Sequence, residues 1–178
     1  HGERLNPDGK LYTENLRRAN AIFSFFCKGP GEEGLEPRFT FHGFQYVELA
    51  GLPAAPGRNA VTGCVIRSAT PPAGQFECSH AGVNRLWLNG AWSQRDNFLS
   101  VPTDCPQRDE RLGWMGAAQG FLRTASYNMD VAAFFTKWMI DVEDAQTADG
   151  IFPDVAPRLR EGENFVGLGN LCGSAGWA

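Results

Sequence analysis

The feature that most constrains this chain is a change of period partway along it. From Arg38 to Ala50 the alternate positions Phe39, Phe41, Val47 and Leu49 are apolar, the two-residue rhythm of a half-buried strand. Gly43 interrupts that rhythm and predicts a bulge or a tight turn. Beyond residue 79 the rhythm becomes helical. Between the two lie breaker-rich stretches, Gly51-Leu-Pro-Ala-Ala-Pro-Gly57 and Thr70-Pro-Pro-Ala-Gly74. A strand period and a helix period do not share one layer, so the chain reads as a β region followed by an α region.

Local signals refine that division. Asn6-Pro-Asp-Gly9 and Gly29-Pro-Gly31 read as turns, and Cys64–Ser68 as one further strand. Ser79 is the expected cap of a first helix carrying Val83, Leu86, Trp87 and Ala91. A second runs from Met115 to Tyr127 through Ala118, Phe121, Leu122 and Ala125. Asp130 opens the third and strongest, with Phe134, Phe135, Trp138, Met139 and Val142 on one face. Asp149-Gly150 is expected to end it, and Pro153 and Pro157 keep it from resuming. The tryptophans Trp87, Trp92 and Trp138 fall at core-like helical positions. No internal repeat is visible.

Charge narrows the function classes. Residues 1–60 carry seven acidic and seven basic side chains, so the net charge of −4 belongs wholly to residues 61–178. An acidic chain with no basic face is a poor nucleic-acid binder, and no run of 18 apolar residues predicts a membrane span. Cys27, Cys64, Cys78, Cys105 and Cys172 are odd in number and contain no Cys-x-x-Cys pair. Neither a zinc site nor a disulfide framework is indicated. With no glycosylation sequon either, the expected setting tilts toward the cytoplasm rather than secretion. The start at His1 without a signal-peptide pattern, and the uncapped close at Ala178, read as a fragment.

Chemistry concentrates in Val101-Pro-Thr-Asp-Cys-Pro-Gln-Arg-Asp-Glu-Arg-Leu-Gly-Trp114. Three carboxylates (Asp104, Asp109, Glu110) and two arginines (Arg108, Arg111) fall on a proline-stiffened segment that ends in a tryptophan. A sugar site needs an apolar face to stack on and carboxylates to bind hydroxyls or transfer protons. A salt-bridged loop without catalytic work fits the composition equally well. His42 and His80 have no second histidine beside them, which leaves little scope for a metal or nucleophilic role. Cys105 lacks a histidine partner and sits among acids, so a small, buried residue is expected.

The longer string decides between these. Asn97 through Trp114, with Thr124-Ala-Ser-Tyr-Asn-Met-Asp130, Phe135-Thr-Lys-Trp138, Asp144-Ala-Gln and Asp149-Gly-Ile-Phe-Pro-Asp-Val-Ala-Pro157, resembles the α-L-rhamnosidases of glycoside hydrolase family 78. Upstream, Glu36–Glu48 resembles the last strands of the β-sandwich that precedes that family's catalytic domain. The resemblance implies a mixed fold class. Residues 1–60 would be the end of a β-sandwich, 61–75 a linker, and 76–178 the first helices of an all-α (α/α)6 barrel, truncated.

The resemblance also implies site residues. Glu110 falls on the general acid of an inverting hydrolase, Asp104 on a carboxylate that binds rhamnose hydroxyls, and Trp114 on the aromatic of the −1 subsite. Arg108 and Asp109 belong to the same string, are counted with the substrate-binding set, and are expected to hold Glu110 in position. Trp177 resembles a second aromatic of the sugar site. Rhamnose-containing glycosides are the implied partners, with neither nucleic acid nor membrane; no cofactor or metal is implied, and homo-oligomerisation is left open.

Two departures limit the correspondence. The family's Thr-Gly-Asp-Ala-Gln is here Met115-Gly-Ala-Ala-Gln119, so Ala117 stands where an aspartate would contact substrate. The general base of inversion would lie beyond Ala178; Glu143 and Asp144 read as the polar face of a helix, and Asp154 matches no family base. An inactive carbohydrate-binding relative is therefore the rival to an enzyme, and a related barrel hydrolase acting on another sugar is the third reading. For the 178 residues alone, the expectation is poor solubility and no activity, with the apolar faces around Phe134 and Trp138 partly exposed.

Overall fold

The computed structural model describes residues 1–158. The chain divides into two compact units, one of residues 1–65 with 105–110, the other of residues 66–104 with 111 onward. Cys172 and Trp177 lie outside the described residues.

The first unit has little regular structure. Strands β1 (Arg4–Leu5) and β2 (Leu11–Tyr12) form an antiparallel hairpin in the register Arg4↔Tyr12, Leu5↔Leu11. The Asn6–Gly9 turn closes it: Asn6 N–H donates to Lys10 O at 2.8 Å, and Gly9 takes φ 83°. A 3-10 turn at Glu14–Leu16 follows and buries Leu16. The expected strands at Arg38–Ala50 and Cys64–Ser68 do not form. A strand needs a partner for its outward-facing amides, and the first of these segments pairs through one bridge, Tyr46 to Gly2. Phe39 breaks its extended path with φ 57° and stands fully in solvent. Phe26, Leu52 and Val65 are exposed as well.

The second unit is helical, as the period predicts. Helix α1 spans Ala81–Asn97, and its cap is His80 rather than Ser79: ring Nδ1 accepts from Val83 N–H at 3.3 Å. Asn84 fixes the entry by bonding both the N–H and the C=O of Cys78. Helix α2 spans Met115–Asn128 and α3 spans Ala132–Asp144. Asp130 accepts from Ala132 N–H at the start of α3. The helix stops at Asp144, ahead of the turn in which Gly150 adopts φ 82°.

Trp138 and Met115 are fully buried in one apolar cluster with Val142 and Ala156, and Trp138 Nε1 donates to Ala156 O at 3.0 Å. A second cluster stacks Phe98 on Phe134, centroids 4.5 Å apart. Phe134 and Trp138 themselves are buried, at 8% and 0% exposed, while Met139 and Ile140 beside them face outward. Leu86 and Tyr127 are exposed as well, and Trp92, 42% exposed, carries Arg95 over its ring. Two buried amides join α1 to α2: Asn128 Nδ2 donates to Gln94 Oε1, and Gln94 Nε2 to Ala125 O. Residues 68–73 run along the helical unit, bonded to Phe98, Asn128 and Asp130 through the backbone.

Candidate active site

The charged string is built by both units, and each part has its own scaffold. In the helical unit, β3 (Phe98–Leu99) and β4 (Val101–Pro102) fold back on each other about Ser100 at φ 67°. Thr103 N–H and Oγ1 both bond Asn97 O at 2.8 Å, which clamps the segment that delivers Asp104. Arg111 N–H donates to Asp104 O at 2.9 Å, a hydrogen bond between the residues at which the chain leaves and re-enters this unit. Cys105 (φ 52°) and Arg111 (φ 56°) both take the left-handed conformation, costly for a side chain with a Cβ. Such outliers persist where the surroundings over-determine them.

Trp114 stands at the start of α2, held by a bridge to Val155, while Met115 N–H donates to Asp154 O and Ala156 N–H to Gly113 O. Gly113 has no alternative here: a Cβ would come within 2.3 Å of Ala156 O and 3.0 Å of Trp138 Nε1. The unit also holds a cavity of about 160 Å³ whose walls include Asn97, Thr103, Asp104, Ala117, Phe121 and Phe135. Asp104 and the departure at Ala117 therefore share one cavity.

Residues 105–110 pack in the first unit. Gly43 N–H donates to Pro106 O at 3.1 Å, and a Cβ on Gly43 would meet Pro106 Cγ at 3.1 Å. The glycine expected to mark a bulge marks a close approach. Arg108 Nη2 lies 2.6 Å from Glu110 Oε2, and Arg17 Nη1 lies 3.4 Å from the same oxygen. Arg18 Nε reaches Asp109 Oδ2 at 3.3 Å. Glu110 is only 16% exposed, so its pairing with Arg108 is partly shielded from water. Burial acts against the Arg108 charge, yet the hydrogen bond and charge of Glu110, with Cys105 adding, hold its proton more tightly than usual. Arg111 shifts the other way, lowered by burial.

Of the residues expected at the site, Glu110, Asp109 and Arg108 thus come together in the first unit, while Asp104 and Trp114 belong to the second. Trp177 lies outside the described residues. Arg17 and Arg18 carried no signal in the sequence, standing more than ninety positions from their partners. Among the carboxylates set aside, Glu143 and Asp144 are exposed on α3. Asp154 is 1% exposed, with both oxygens buried and unpaired among the described residues. His42 stacks on His1 at 5.2 Å and meets Phe23 edge-on. Within either unit by itself, no three metal-ligating side chains converge among the described residues. No described helix is long and apolar enough to cross a membrane.

This architecture has close counterparts. Residues 71–178 match the bacterial alpha-L-rhamnosidase six-hairpin glycosidase domain, and residues 1–67 match the bacterial alpha-L-rhamnosidase concanavalin-like domain. An alpha-L-rhamnosidase of Streptomyces avermitilis is 52% identical over the whole chain, which spans 17% of that relative. The crystal structure of a Streptomyces avermitilis alpha-L-rhamnosidase complexed with L-rhamnose superposes with a TM-score of 0.87 at 54% identity, covering 90% of this chain and 16% of that one. The alpha-L-rhamnosidase of Dictyoglumus thermophilum gives 0.86 at 43% identity, covering 88% and 18%. The chain therefore joins part of a concanavalin-like sandwich domain to the start of a six-hairpin glycosidase domain, and it belongs to the bacterial α-L-rhamnosidase family.

Proposed function

We propose that this chain is part of an inverting α-L-rhamnosidase that releases terminal α-L-rhamnose from glycosides, with Glu110 as general acid. The observation that carries the assignment is the setting of Glu110: little exposed, on a segment fixed at Pro106, with Arg108 on one carboxylate oxygen. Both arginine contacts are to Oε2, and we assign Oε1 to the transfer of the proton to the leaving oxygen. As the bond from the anomeric carbon to the leaving oxygen breaks, that proton goes to the leaving oxygen. Water attacks the opposite face of the anomeric carbon, and its proton passes to a base. No described residue is assigned as that base, which we place in a later segment of the longer protein. Asp104 hydrogen-bonds sugar hydroxyls, Trp114 offers an apolar face, and Arg108 and Asp109 fix the loop. Residues 1–60 and 76–178 are assigned to the sandwich and the barrel, with 61–75 joining them.

A second reading has its own observation. Ala117 and Asp104 line one cavity, so a carboxylate is absent where a hydroxyl would be bound. Losing such a bond costs roughly 1.5–3 kcal/mol, about 10–100-fold if expressed at the transition state. That loss favours a carbohydrate-binding relative without turnover. The longer gene product and methyl α-L-rhamnoside, whose leaving oxygen must be protonated, separate the two. Turnover that falls by about 10²–10⁴-fold in Glu110→Gln establishes the hydrolase. Binding of rhamnose without turnover, unrestored by Ala117→Asp, establishes the binding protein.

A further inference from the structure

We propose that Arg17, contributed by the sandwich unit, is a positioning residue for the general acid; the proposal rests on the assignment of Glu110 above. Its guanidinium meets the same carboxylate oxygen as that of Arg108, at 3.4 Å against 2.6 Å. With two donors on Oε2, rotation about the carboxylate bond is restrained and Oε1 keeps one direction. A proton donor needs that constancy, because transfer succeeds only within hydrogen-bond reach of the leaving oxygen.

The backbone of Arg17 supplies an independent observation. Its φ of 57° and ψ of −115° lie outside the regions open to a residue with a Cβ. The turn is held from both sides: Leu16 is buried, Leu16 N–H donates to Thr13 O, Arg17 N–H to Glu14 O, and Ala19 N–H to Leu16 O. Glycine would adopt this conformation without strain, yet the position carries a long cationic side chain aimed at a carboxylate 93 residues away. Strain kept where a functional side chain is presented is the pattern expected of a positioning residue.

The test uses the longer gene product and two substrates that differ in their need for an acid. 4-Nitrophenyl α-L-rhamnoside departs as a stable phenolate, whereas methyl α-L-rhamnoside must have its leaving oxygen protonated. Arg17→Ala should lower kcat about tenfold on the methyl glycoside and less than threefold on the nitrophenyl one, with KM little changed, and Arg17→Lys should recover part of the loss. Arg17→Gly should lose the same activity while raising Tm, since it relieves the turn. Equal losses on both substrates with a lowered Tm, or no loss at all, would overturn the proposal. Glu110→Gln is the reference. If it shows the leaving-group dependence and Arg17→Ala does not, only the role of Arg17 is lost. If Glu110→Gln hits both substrates equally, or the unaltered protein turns over neither, the acid assignment fails and takes this proposal with it.

Discussion

The two units solve the same problem of backbone satisfaction by different means. The helical unit closes its amides within α1, α2 and α3 and uses side chains to lock them, with Trp138, Met115 and Phe98 buried. Among its described residues the sandwich unit has two-residue strands and one isolated bridge, and it leaves Phe26, Phe39 and Leu52 in solvent. A helix completes its hydrogen bonds from adjacent sequence, whereas a strand depends on distant segments. The lesson concerns division of labour. The unit with the strong core holds the cavity and Trp114, and the unit with the weak one holds Glu110 between arginines.

The sharpest way to break this comparison is at Trp138. Trp138→Ala should cost about 3–5 kcal/mol, because it empties a fully buried site and leaves Ala156 O without its donor. Urea unfolding followed by circular dichroism measures it. A loss under about 1 kcal/mol would mean that the helical unit does not owe its order to this cluster.

Two glycines, one in each unit, sharpen the contrast. Gly113→Ala forces a Cβ to within 2.3 Å of a backbone oxygen and should destabilise by about 2–3 kcal/mol. Gly43→Ala meets Pro106 Cγ at 3.1 Å and Gln107 N at 3.3 Å, a crowding that a few tenths of an ångström relieves, at about 1 kcal/mol. The activity ordering should be different, since shifting Pro106 moves the segment that carries Glu110. Unfolding curves and kcat on a methyl rhamnoside, taken for both variants, test whether stability and activity separate in this way.

What was legible in the sequence follows the same divide. The three helices could be read from their spacing, because the signal for a helix lies within a few turns of itself. The cap at His80 was missed for Ser79, since which of two adjacent polar residues folds back onto Val83 N–H depends on local dihedrals. The strand at Arg38–Ala50 was misread because period two reports an amphipathic surface and says nothing of whether a partner is present. Glu110, Asp104 and Trp114 stood out because their string is contiguous. Arg17 and Arg18 did not, because their link to that string exists only through folding. The burial of Asp154 was equally invisible, since nothing around a Pro-Asp-Val sequence reports depth.

The smallest effect expected lies at the end of α1. Burial raises the Asp96 carboxyl above its ordinary value, with Arg95 opposing, and a negative charge in the last turn of a helix also opposes the macrodipole. With the folded value raised, the ionised form is disfavoured in the native state. The penalty is absent below the ordinary aspartate range, sets in as pH rises through the raised value, and is complete at neutrality. Asp96→Asn should therefore stabilise at pH 7 and do nothing at pH 3. Because the residue is more than a third exposed, solvent screening cuts the gain to a few tenths of a kcal/mol. Thermal unfolding of both proteins across pH 3 to 7 reads it, and a gain that persists at pH 3 would move its cause from charge to packing.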